Sequence, residues 1–307
     1  MRIAILGSGG VGGYFGGRLA AGGNDVAFIA RGAHLAALRQ HGLRILSPNG
    51  DLHLPTVQAT DDTTTIGPVD IVFFTVKLYD TESALGLLPP LIGAETLVIS
   101  LQNGVDAVDV LTRAVGARHT AGGTTQIVAA IAEPGVIRHG ALGRLAVGPL
   151  QEGPRALLER LYERAKAAGI DAVLSGEILI EIWAKFARLT AFSGMTSVTR
   201  CPLGPLRRDT DLWAMTKAAV FESVAVARAK GIPLPASLVD DITIAVATMP
   251  PESKSSMLGD LERGRPLELP WLSGAVVRFG EETGVATPIH RFITTVLSPH
   301  VNGAPRI

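Results

Sequence analysis

Between Ile178 and Phe192 the only charged residues are Glu181, Lys185 and Arg188. Spaced i, i+4, i+7, they draw one narrow stripe along a helix whose other residues are apolar and aromatic, Trp183, Phe186, Leu189 and Phe192 among them. Such a helix is largely buried, so its polar stripe must face solvent or a cleft. Two readings stay open. One is a surface Glu181–Lys185 pair, which contributes only a few tenths of a kcal/mol. The other is a lysine presented into a cleft between domains, where it could protonate an oxygen that gains charge as hydride arrives at its carbon. A second group of reactive types runs from Ser253 to Asp260 and on through Gly264-Arg265 to Glu268. Serines at a helix start are caps, which accounts for Ser255 or Ser256. The same hydroxyls and free N–H groups would also bind a carboxylate. Glu268, amid apolar neighbours before Pro270-Trp271, is either a capped helix start or a buried acceptor for a substrate hydroxyl.

A source of hydride is written at the N-terminus. Arg2–Leu6 has strand length and ends in Gly7-Ser8-Gly9-Gly10-Val11-Gly12, which fits G-x-G-x-x-G. A small-residue helix follows to about Gly22, and a second strand covers Asp25–Ala30. In that context the first glycine permits a tight turn, the second lets a pyrophosphate approach the backbone, and the third lets helix pack closely on strand. The second strand runs into Arg31-Gly32, where an NAD-binding unit would carry an acidic residue. A guanidinium suits a ribose 2′-phosphate, so the expected cofactor is NADP(H).

The elements that must position these residues read as an α/β fold: an N-terminal Rossmann-type doubly wound parallel sheet with an all-helical C-terminal domain. Asp70–Val76 is a buried strand that delivers Lys77, and Thr96–Leu101 is another that delivers Asn103. Ligands of open parallel sheets bind outside the carboxyl ends of the strands, which puts both residues where chemistry occurs. A hairpin is expected with its turn at Asn49-Gly50, and a helix over Thr81–Leu91. From His119 to Val147 the texture predicts a meander of short strands covering one sheet edge. Pro154–Ala168 predicts a helix and Ile170–Leu174 a last strand. The expected boundary lies near Ser175-Gly176, with residues 1–175 binding NADP and residues 176–307 serving substrate and dimerisation. Helices are predicted over Glu177–Thr199, Asp209–Lys230, Ala236–Thr248, Ser255–Arg263, Trp271–Thr283 and Thr287–Ser298, broken by prolines.

Composition narrows the class. Apolar residues make up 47% and charged ones 18%, as in a globular chain rather than a disordered one. Lysine plus arginine balance aspartate plus glutamate at 28 each, so nothing points to nucleic acid. Cys201 is the single cysteine, and seven histidines lack ligand spacing, so no disulfide and no metal are expected. No apolar run approaches the roughly 18 residues of a membrane span, and the N-terminus is not expected to be a signal peptide. The expected compartment is the cytoplasm.

Together the N-terminal glycine motif, Thr75-Val76-Lys77, Leu101-Gln102-Asn103-Gly104, Trp183-Ala184-Lys185-Phe186, Ser255–Asp260 and Gly264-Arg265 with Glu268 resemble the ketopantoate reductase (2-dehydropantoate 2-reductase) family over essentially the whole chain. The resemblance implies reduction of a 2-oxo acid to a 2-hydroxy acid by NADPH, as in forming pantoate. It implies that Lys185 is the general acid, that Asn103 contacts cofactor and orients the carbonyl, and that Glu268 supports catalysis at the nicotinamide end. It further implies that Ser256 binds the substrate carboxylate and Lys77 the cofactor. A homodimer through apolar helices such as Met215–Ala229 is expected. Asparagines that bind the polar end of the substrate in pantoate-forming members are replaced here by Leu189, Ser193 and Leu203, of which only Ser193 could still bind substrate by hydrogen bonding. Pro270 and Ser273 likewise stand where the family has Asp and Asn. An unpaired buried hydroxyl costs roughly 1–3 kcal/mol, about ten- to a hundredfold in affinity. The alternatives are therefore the same hydride chemistry on a more apolar keto acid or ketone, or a non-catalytic NADP(H)-binding sensor.

Overall fold

Four strands whose side chains are almost wholly excluded from water form the centre of the first half of the chain. In the computed structural model, which describes residues 1–150 and 155–305, these are β1 (Arg2–Leu6), β2 (Asp25–Ile29), β6 (Ile71–Phe74) and β7 (Leu97–Ser100). Near-continuous apolar runs of this kind suit a parallel sheet covered on both faces. Between β1 and β2 lies α1 (Gly10–Ala21). Between β2 and β6 come α2 (Gly32–His41), the antiparallel pair β3 (Leu43–Leu46) and β4 (Leu52–Leu54), and β5 (Gln58–Thr60). Then follow α3 (Thr81–Leu85), α4 (Ala107–Val115), β8 (Thr120–Glu133), β9 (Val136–Gly148), α5 (Arg155–Ala167) and β10 (Asp171–Leu174). The strand order is β4-β3-β9-β8-β7-β6-β1-β2-β5, with β10 beside β9. From β5 to β8 every pairing is parallel.

Two expectations need correction here. The helix expected over Thr81–Leu91 stops at Leu85, because Gly86 and Pro89-Pro90 break it and leave only a 3-10 turn at Pro89–Leu91. The segment His119–Val147 is not a meander of short edge strands. It is one long antiparallel hairpin in the interior of the sheet order, turning at Pro134-Gly135. Its length follows from its partners: β8 begins against β7, while β9 pairs with β3 near Val136 and with β10 near Val147. Three register shifts bend the pair. Pro154, the first residue of another expected helix, lies outside the described residues.

The chain divides into two compact units, Met1–Gln102 with Asp106–Ile178, and Asn103–Val105 with Leu179–Ile307. The second is helical: α6 (Ile178–Thr199), α7 (Leu203–Arg208), α8 (Thr210–Ala229), α9 (Leu238–Thr248), α10 (Ser256–Glu262), α11 (Ser273–Thr283) and α12 (Pro288–Leu297). The short α7 adds to the expected set. Pro202 and Pro205 read as breakers, yet they sit at the cap and in the first turn, where a missing N–H costs nothing. A buried polar set ties this unit together. Thr190 and Ser223 hydroxyls meet at 2.9 Å, Ser223 meets His290 Nε2 at 2.9 Å, and Ser273 meets His290 Nδ1 at 3.2 Å. The Glu222 carboxylate accepts from the N–H groups of Ile289 and His290, capping α12. Burial pushes the His290 imidazole down to about 4, so it stays neutral in this set.

Candidate active site

The glycine loop is shaped by its own hydrogen bonds. Gly7, at φ 103°, and Ser8 both donate their N–H groups to the Ile29 carbonyl, which ties the loop to the end of β2. The buried Ser8 hydroxyl donates to that carbonyl too, at 3.1 Å, and the Thr75 hydroxyl donates to Gly7 O at 2.7 Å. Ser8 thus sets the loop's form rather than offering a free hydroxyl. A Cβ on Gly12 would lie 2.4 Å from Gly7 O, and one on Gly10 would lie 2.3 Å from Ala129 O, so both glycines serve close packing. Gly9 differs: a Cβ there would meet nothing within 4 Å. Open space at the second glycine, beside the first-turn N–H groups of α1 at Gly10 and Val11, which have no intrahelical partner, fits a dinucleotide pyrophosphate.

His34, on α2, completes this loop and carried no signal in the sequence. Gly135 N–H donates to its Nδ1 at 3.1 Å, so Nε2 must carry the proton and donates to Ser8 O at 2.8 Å. Burial lowers its pKa, in keeping with that neutral tautomer. Its partners are 26 and 101 residues away, beyond any local pattern. Arg31 lies two residues beyond β2 as the cap residue of α2, exposed, with its guanidinium 3.7 Å from the Asp80 carboxylate. Lys77 is exposed three residues beyond β6. Gln102 braces this end of the sheet by donating to Val76 O and the Thr81 hydroxyl.

In the helical unit two cationic side chains stand apart instead. Lys185 and Arg188 are half-buried on α6, and among the described residues neither makes a hydrogen bond or ion pair. The surface Glu181–Lys185 pair is therefore not formed. Burial pushes the Lys185 ammonium down to about 8; Arg188 pushes the same way, and the Glu268 carboxylate opposes them. Lys185, Arg188 and Glu268 thus lie within electrostatic reach of one another. Glu268 is buried at the start of a 3-10 turn, Leu269–Trp271. Asn103 is half-buried and groups with this unit, although it follows β7 in the chain.

The serines separate by role. Ser255 is the cap: its Oγ accepts from Leu258 N–H at 3.0 Å and meets the Thr196 hydroxyl at 2.8 Å. Ser256, the next residue, is exposed. Ser193 is fully buried, with its hydroxyl turned to Thr190 O of its own helix at 3.4 Å. Leu203 is buried and Leu189 half-buried, so apolar side chains follow the cations along this part of the unit. Among the described residues no His/Cys/Asp/Glu cluster could hold a metal, and no helix is long and apolar enough to cross a membrane.

Comparison with known proteins agrees with this geometry. Residues 3–152 match the model of the family described as ketopantoate reductase PanE/ApbA, and residues 177–300 match that of its C-terminal part. A 2-dehydropantoate 2-reductase from Archaeoglobus fulgidus is 32% identical, over 96% of each chain. The crystal structure of a PanE/ApbA family ketopantoate reductase from Ralstonia eutropha superposes with a TM-score of 0.89 at 33% identity, covering 98% of both chains. A D-mandelate dehydrogenase in complex with NADH superposes with a TM-score of 0.86 at 25% identity, covering 97% of this chain and 98% of that one. With both family models matched in order and the sheet, loop and lysine helix in place, the chain belongs to the ketopantoate reductase family of oxidoreductases.

Proposed function

We propose that the protein reduces the keto group of a 2-oxo acid to a hydroxyl with NADPH, in the manner of 2-dehydropantoate going to (R)-pantoate. The observation that carries this reading is Lys185, a half-buried lysine that makes no hydrogen bond or ion pair among the described residues and whose pKa is lowered to about 8. Such a group holds its proton at neutral pH yet gives it up readily. When bound at the glycine loop, the reduced dinucleotide supplies the hydride. As the keto carbon accepts it, the carbonyl electron pair moves to oxygen, and the Lys185 Nζ proton meets the developing charge. Asn103 donates its amide to the same oxygen, Ser256 binds the carboxylate, and Glu268 keeps the lysine charged. Gly7 to Gly12 and Lys77 hold the dinucleotide. Arg31 supports the choice of NADP(H), since its fork suits a 2′-phosphate. We place a homodimer contact on the helical unit, where Phe221 and Ile244 are exposed.

A second reading keeps the chemistry and changes the substrate to a more apolar keto acid. Leu189 and Leu203 favour it, as does the likeness to a D-mandelate dehydrogenase, named for a 2-hydroxy acid that carries a phenyl ring. One assay separates the two: NADPH oxidation at about 340 nm with ketopantoate, beside NADH and a series of aliphatic and aromatic 2-oxo acids. Ketopantoate turnover at roughly 1–10³ s⁻¹ supports the first reading. Negligible turnover of ketopantoate with clear turnover of an apolar acid supports the second. Oxidation of neither cofactor by any 2-oxo acid would contradict both.

A further inference from the structure

We propose that Arg188 is the specificity-determining residue of this site, a bidentate anchor for the substrate's carboxylate set one helical turn along α6 from Lys185. The inference rests on the 2-oxo acid reading and adds to it a residue that the family resemblance does not assign.

Residues i and i+3 on a helix are neighbours, with Cβ atoms about 5–6 Å apart. Lys185 and Arg188 therefore present their head groups from the same half-buried stripe. A guanidinium carries five donors in a planar fork and stays charged at any working pH. Half-buried arginines normally reach a carboxylate or a row of carbonyls, because unmet donors and an uncompensated charge are costly to keep out of water. Arg188 does neither among the described residues. Its neighbour Lys185 likewise makes no hydrogen bond or ion pair among the described residues, and Glu268 is the carboxylate whose charge acts on it. Arg188 itself has no carboxylate partner among the described residues, which suits an anionic ligand.

A 2-oxo acid supplies that anion in the matching place. Its keto oxygen and its carboxylate sit on adjacent carbons, so one molecule presents a neutral acceptor and a charged one side by side. Lys185 takes the keto oxygen, and the Arg188 fork takes the two carboxylate oxygens in parallel hydrogen bonds. Lone pairs remain on the carboxylate for the Ser256 hydroxyl. Neutralising Arg188 in this way also removes a charge that disfavours the protonated lysine, so the acid is best stocked with its proton when the correct substrate is seated.

The test compares a 2-oxo acid with its methyl ester, the same carbonyl without the charge. In R188L, kcat/KM for the acid should fall about 10- to 100-fold, chiefly through KM. The same constant for the ester should change by less than about threefold, with NADPH affinity by fluorescence unaltered. R188K, which keeps the charge and loses the fork, should weaken the acid severalfold and selectively; it carries the same test if R188L does not fold. Equal losses on acid and ester, no loss on the acid, or a loss confined to substrates with a second carboxylate would each overturn the proposal. Wild-type protein inactive on every 2-oxo acid removes the functional reading and this one together. Wild-type activity with an unchanged acid-to-ester ratio in both variants removes this one alone.

Discussion

Around Gly7–Gly12 nearly every polar side chain is committed to the backbone: Ser8 to Ile29, Thr75 to Gly7, His34 to Ser8 and Gly135. The two cations of α6 differ, since Lys185 and Arg188 reach no hydrogen-bond partner among the described residues. The first region is a surface of backbone donors whose shape is fixed before any ligand arrives. The second is a set of side-chain charges whose balance is left open. A pyrophosphate is recognised by form and by helix-end donors, which glycines permit. A reacting carbonyl is recognised by groups whose charge changes during the reaction, and such groups must not be neutralised by permanent partners.

The sharpest way to break this contrast is to remove the lysine. Lys185→Ala should lower kcat by about 10²–10⁴, the range for a positioned general acid, while NADPH affinity stays as it was. Loss of nucleotide binding in that variant would mean that the two regions are not separate in function. The glycine loop should answer differently at its two kinds of position. Gly12→Ala drives a Cβ to 2.4 Å from Gly7 O and should destabilise the fold by about 1–3 kcal/mol, read by thermal unfolding. Gly9→Ala meets no protein atom within 4 Å, so it should leave the melting temperature unchanged and weaken nucleotide binding alone. Equal melting shifts in the two variants would show that Gly9 is a packing glycine too.

These regions also differ in how far the chain discloses them. The glycine spacing, the apolar run Ile71–Phe74 and the charge stripe of α6 are local patterns, and the fold class follows from them. The long β8–β9 hairpin is not such a pattern, because glycines such as Gly122 and Gly123 are punctuation by residue type alone. They are strand residues whose missing side chains make room for Ile178 and Ile99. His34 and the grouping of Asn103 with the helical unit depend on contacts far apart in the chain, which no local window contains. At Ser255-Ser256 the residue type was legible and the role was not: only the cap geometry tells the serine that holds the helix from the one that is exposed.

The most direct test is the pH dependence of kcat/KM, which reports the free enzyme, for NADPH-driven reduction in the wild type and in E268Q. Lys185 must hold its proton to act as the acid, so the rate should be level below about pH 8 and fall about tenfold per pH unit above it. Glu268 raises the proton affinity of Lys185, so its replacement by glutamine should move the alkaline limb to lower pH. A limb near 8 that shifts downward in E268Q places the proton on Lys185. A profile level to pH 10, or a limb indifferent to Glu268, would contradict the assignment of the acid.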